Sequence, residues 1–104
     1  MKAQRKMLPT FKTVAFDPGG TTGWCCFDGT KLEAAGQFSA EYIKNFRAIL
    51  DSYKPDVVVI ENYKVYAHKV SANVGKEVQP SELIGQIELL CDDRSIPHVR
   101  QMAA

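Results

Sequence analysis

The sequence predicts one α/β domain, a mixed sheet with helices covering it, and three observations predict it. Two short runs, Val14-Ala15-Phe16 and Val57-Val58-Val59-Ile60, are continuously apolar, as in strands covered on both faces. Asp28-Gly29 gives a hairpin signal between two strand-like stretches. Two later segments carry apolar residues at helical spacing. A chain of 104 residues has room for one modest core. Its 45% apolar and 24% charged residues are ordinary globular values and argue against disorder.

Residues 1–10 read as a loose basic N-terminal arm with Lys2, Arg5 and Lys6, and 11–104 as the single domain. Phe11 to Asp17 forms the first strand. Gly23 to Phe27 forms the second and returns through Asp28-Gly29 into a third, Lys31 to Phe38, where Gly36 is a candidate bulge. Ser39 fits a helix N-cap, with Glu41 in the first turn to favour the helix dipole. Tyr42, Ile43, Phe46, Ile49, Leu50 and Tyr53 make one amphipathic stripe, which Lys54-Pro55-Asp56 ends. Val57 to Ile60 is the second buried strand and closes on Glu61. After the polar stretch from Asn62 to Gln79, Pro80 or Ser81 opens a helix with Leu83, Ile84, Ile87, Leu90 and Cys91 on its apolar face. A turn at Asp92-Asp93-Arg94-Ser95 leads to a last strand, Ile96 to Gln101. The order β-β-β-α-β-α-β is an antiparallel meander followed by right-handed crossovers.

The totals exclude several classes. A net charge of +1 announces no nucleic-acid partner for the chain as a whole, so any such partner is met by a local patch. No stretch has the apolar length of a membrane helix, and "MKAQRKMLPTFK" lacks the apolar region of a secretory signal. Cys25, Cys26 and Cys91 are odd in number and lack zinc-ligand spacing. They read as small core residues in a reducing, cytoplasmic setting.

The chemistry concentrates where the two buried strands end. Asp17 and Glu61 each follow an apolar run and precede turn or loop residues. If the two strands are parallel neighbours, both acids emerge at the sheet edge where α/β folds place their sites. Close carboxylates repel unless a cation lies between them. Oxygen donors of this kind suit Mg²⁺ or Mn²⁺, which can activate a water and stabilise the leaving oxygen of a phosphodiester. The plainer roles stand beside this: an Asp before Pro-Gly ordinarily serves a turn, and a strand-terminal Glu is ordinarily solvated. Gly19, Gly20 and Gly23 allow a tight turn, and with Thr21 and Thr22 they also have the makings of a phosphate contact.

"FDPGGTTGW", "VVVIENY" and "SELIGQIELL" together resemble the RuvC-like nucleases of the ribonuclease H-like superfamily, most of all the phage-type Holliday-junction resolvases. The resemblance runs from Val14 to Gln101. It implies a mixed five-stranded sheet of order 3-2-1-4-5, with the first three strands antiparallel. It implies Asp17 and Glu61 as catalytic metal ligands, Mg²⁺-dependent hydrolysis of branched DNA, a homodimer, and a bacterial or phage-infected cell. That family completes its site with one or two carboxylates on a helix after the fifth strand. Here the sequence ends at Gln101-Met102-Ala103-Ala104, so the expectation is a domain truncated at its C-terminus. Asp92 and Asp93 precede the last strand and are expected at the opposite sheet edge. A non-catalytic DNA-binding or interaction module of the same fold is the alternative.

"Asp-x-Gly-Gly-Thr" also resembles the first phosphate loop of actin-like and sugar-kinase ATPases, but those enzymes close two such domains around a nucleotide. The segment from Asn62 to Gln79 holds Lys64, His68, Lys69 and Lys76 with Tyr63 and Tyr66 interleaved, against one acid, Glu77. Basic residues beside a metal site suit a phosphate backbone, and tyrosines stack on unpaired bases. Thr21, Thr22, Lys64, His68, Lys69 and Lys76 are therefore the candidate DNA contacts, with a solvated loop as the plain reading of the segment.

Overall fold

The computed structural model describes residues 10–62 and 79–102. They form strands β1 (Lys12–Asp17), β2 (Thr22–Asp28) and β3 (Lys31–Phe38), helix α1 (Tyr42–Tyr53), strand β4 (Val57–Asn62), helix α2 (Pro80–Asp93) and strand β5 (His98–Met102). The basic arm and the segment holding Lys64, His68, Lys69 and Lys76 lie outside the described residues. The five strands make one sheet of order β3-β2-β1-β4-β5. β1–β2 and β2–β3 are antiparallel, and β1–β4 and β4–β5 are parallel. This is the mixed sheet expected above.

The hairpin between β2 and β3 turns on Gly29 and Thr30, with Asp28 paired to Lys31. Gly29 takes φ 63°, the positive value that a tight hairpin wants at its first central position. Alternation along β1 and β4 puts Val14, Phe16, Val58 and Ile60 on one face, where they join Phe46, Ile49 and Leu50 of α1 and Leu83, Ile87 and Cys91 of α2 in a single buried cluster. Phe16 meets Phe46 edge-on at a centroid separation of 5.2 Å. The opposite face keeps Leu32 and Val99 more than half exposed, at 54% and 52%. No helix among the described residues is long and apolar enough to cross a membrane.

Two local expectations are corrected. Ser39 does not cap α1. The cap residue is Glu41, in left-handed conformation at φ 50°, with no side-chain cap bond and no acid in the first turn. The Ser39 hydroxyl is engaged with Thr21 instead, Oγ to Oγ1 at 3.0 Å, so the chain turns further before the helix starts. Gly36 is not a bulge. It pairs with Trp24, and the irregularity lies between Cys26 and Phe27, where the register passes from Ala34 to Leu32 and skips Glu33. Pro80 opens α2 at its first turn behind Gln79, as proline does well.

Candidate functional site

β1 and β4 run parallel in register, with Phe16 beside Ile60. The next residue on each strand is a carboxylate, Asp17 and Glu61, so both acids close their strands at one edge. Neighbouring strands lie about 4.8 Å apart, which is within reach of one shared cation for two carboxylate side chains. Asp17 is exposed and Glu61 half-buried. Across β2, Asp17 pairs with Gly23, and across β5, Glu61 pairs with Gln101. A cavity of about 380 Å³ opens over this edge, lined by Asp17, Glu61, Gln101, Gly23, Cys25 and Val59 among others.

The turn after Asp17 is held from within. Thr22 Oγ1 donates to the Gly19 carbonyl at 2.8 Å and accepts from the Gly19 N–H at 3.2 Å. Thr22 is fully buried. It is therefore corrected as a DNA contact: its hydroxyl is committed to the turn and hidden from any ligand. Thr21 stays exposed at the same edge. Tyr42, at the start of α1, places its hydroxyl 2.7 Å from the Gly20 carbonyl and 3.0 Å from the Ser39 carbonyl. Its single proton is shared between them, the shorter contact to Gly20 being the stronger. The fold thus brings Asp17, Glu61 and Thr21 to one edge.

Asp92 and Asp93 end α2 ahead of β5, at the edge where the parallel strands begin. Asp92 Oδ1 lies 2.9 Å from His98 Nε2 there, away from Asp17 and Glu61 as expected. Among the described residues no group of three or more His, Cys, Asp or Glu side chains is placed to hold a metal. Hard oxygen donors at adjacent strand ends, beside an open cavity, nevertheless fit one hard divalent cation with remaining water ligands. Sequence reasoning passed over Gln101, Cys25 and Tyr42. Strand parity could have found the first two, because Gln101 and Cys25 share the face of Glu61 and Ala15. Nothing local marks Tyr42, which sits in an apolar helical stripe.

No family model matches the sequence, and no curated protein matches it by sequence. The structure does find counterparts. Thermus thermophilus RuvC, solved in complex with a Holliday junction substrate, superposes with a TM-score of 0.72 at 11% identity, covering 88% of this chain and 65% of that one. The fold is RuvC-like. The fowlpox virus resolvase, solved with Holliday junction DNA, gives a TM-score of 0.65 at 17% identity over 88% of this chain and 62% of its own. The yeast mitochondrial Holliday junction resolvase gives 0.55 at 12% over 93% and 55%. The chain spans less than two thirds of the length of these structures. At identities this low the likeness is one of fold alone.

Proposed function

We propose that the chain is a Mg²⁺-dependent endonuclease of RuvC-like fold that hydrolyses phosphodiester bonds in branched, Holliday-junction-like DNA, acting as a homodimer. The observation that carries the reading is the parallel register of Phe16 with Ile60, which sets Asp17 and Glu61 side by side at the carboxyl edge of adjacent strands. Two carboxylates so close favour a cation between them, and their oxygens suit Mg²⁺, with Mn²⁺ as a substitute. A divalent ion held there supplies Lewis acidity toward a phosphate oxygen and acidifies an attacking water.

The chain's own residues do the rest. Asp17 and Glu61 hold and orient the cation. The cavity over them leaves room for the scissile phosphate. Thr21, exposed in the β1–β2 connection, contacts the DNA backbone, and Lys64, His68, Lys69 and Lys76, which follow Glu61 in the chain, add further phosphate contacts. The solved resolvases bound to Holliday junctions support the substrate class.

The test is cleavage of a synthetic four-way junction by the protein in the presence of Mg²⁺. Asp17→Asn and Glu61→Gln are expected to abolish Mg²⁺-dependent cutting while leaving salt-sensitive junction binding. Undiminished cleavage by either variant overturns the assignment. Binding without turnover by the wild-type protein moves the reading to a non-catalytic DNA-binding module.

A further inference from the structure

Tyr42 ties together two chain connections at the carboxyl edge. Its hydroxyl lies 2.7 Å from the Gly20 carbonyl in the β1–β2 connection and 3.0 Å from the Ser39 carbonyl in the β3–α1 connection. A phenol has one proton to donate, so the two carbonyls share it, and the shorter distance favours Gly20. The ring stands against Phe38 at a centroid distance of 6.1 Å, which restricts its swing. Thr21 and Ser39 add a hydroxyl contact between the same two connections.

The β1–β2 connection has reason to need such a tie. Gly19-Gly20 has wide backbone freedom, and a Cβ built at Gly20 would meet nothing within 4 Å, so no side-chain packing fixes that residue. Thr22 fixes Gly19, which leaves Gly20 to Tyr42. Asp17 stands immediately before this turn, one residue past the Phe16–Ile60 pair, and like charges at neighbouring strand ends repel where no cation lies between them. A loose glycine turn would yield to that push.

We propose that Tyr42 is a positioning residue for Asp17: by holding the Gly20 carbonyl it keeps the turn in the conformation that leaves the Asp17 carboxylate beside Glu61. The inference rests on the reading of that pair as a divalent-cation site. It assigns α1 a part in the site through its first residue, although no side chain of α1 lines the cavity.

The experiment titrates Mn²⁺ into the 104-residue chain and reads free Mn²⁺ by electron paramagnetic resonance, with circular dichroism confirming that each variant is folded at the temperature used. Tyr42→Phe keeps the ring and removes only the hydroxyl. It is expected to weaken Mn²⁺ binding by about fivefold, the share of one ordinary hydrogen bond. Asp51→Asn, which removes the charge from the exposed Arg94 pair at the opposite edge, is expected to lower stability slightly and leave Mn²⁺ affinity unchanged. Wild-type affinity in Tyr42→Phe overturns the positioning role while leaving the carboxylate pair intact. Equal weakening by Asp51→Asn reduces the effect to general destabilisation and also overturns it. Wild-type binding no tighter than that of Asp17→Asn removes the cation site, and the inference falls with it.

Discussion

Trp24 lies across Gly36 on the neighbouring strand so closely that a Cβ at Gly36 would stand 2.8 Å from the indole Nε1 and 3.2 Å from Cε2. The two are register partners between β2 and β3, and the indole packs on toward Tyr53 of α1 at 5.6 Å between ring centroids. Glycine at position 36 is thus the floor on which the aromatic lies. Because the clash is with a rigid ring rather than a flexible chain end, Gly36→Ala is expected to displace Trp24 and cost about 1–3 kcal/mol. The chain has one tryptophan, so a shift of its fluorescence emission alongside a lower urea midpoint reports the displacement directly. An unchanged spectrum and midpoint would show that the indole has room to spare.

Thr21 and Thr22 are adjacent and chemically identical, yet the structure predicts opposite sensitivities. Thr22→Val keeps the shape and removes the hydroxyl that serves both polar groups of Gly19. Leaving those half-buried groups without this partner is expected to cost about 1–2 kcal/mol. Thr21→Val, at an exposed position, is expected to stay within about 0.5 kcal/mol. Thermal denaturation of the two variants side by side checks the contrast, and similar losses in both would contradict the burial of Thr22.

That contrast shows what a sequence can and cannot carry. A strand read from Gly23 leaves Thr22 in the turn, where it looks like a ligand-facing hydroxyl. The strand starts one residue earlier, and strand parity then puts Thr22 on the same face as buried Cys26. The two acids were legible because each closes a short apolar run, a purely local pattern. Their adjacency needed the parallel pairing of β1 with β4, which follows from the crossover rule rather than from either run. Gly36 and Ser39 misled for a common reason. Each has its decisive partner, Trp24 or Thr21, on a different element, and nothing in the neighbouring residues records it.

Arg100 grips Glu88 with two hydrogen bonds, Nε to Oε2 at 2.9 Å and Nη2 to Oε1 at 2.7 Å, joining β5 to α2. His98 Nδ1 faces the same carboxylate at 3.6 Å, with Asp92 on its other ring nitrogen. The Arg100 hydrogen bonds hold the Glu88 carboxyl below its ordinary value of 4.5, helped by the charges of Arg100 and His98 and opposed by partial burial. A carboxyl held low in the folded state contributes stability that is present above its unfolded value and lost as pH falls through its folded one. Glu88→Gln is therefore expected to lower the urea midpoint at neutral pH, and the gap from wild type is expected to close progressively below pH 4.5. A gap of constant size down to about pH 3 would mean that Glu88 acts through packing and not through charge.

The cysteines offer a check on which face of the sheet is open. Cys26 and Cys91 are fully buried in the cluster between sheet and helices. Burial, then the Glu33 contact, pushes the Cys26 thiol up to about 11, and burial, then Asp92, does the same for Cys91. At pH 8 a thiol raised that far is about one part in a thousand thiolate, the form that reacts. Cys25 points to the other face, is half-buried, and lines the cavity beside Asp17 and Glu61. Iodoacetamide is therefore expected to modify one thiol promptly in the folded protein and the other two only on unfolding, with peptide mapping placing the first adduct at Cys25. Three equal rates would mean that the sheet and helices separate within the time of the reaction. Slow labelling of all three would mean that the cavity face is covered in solution.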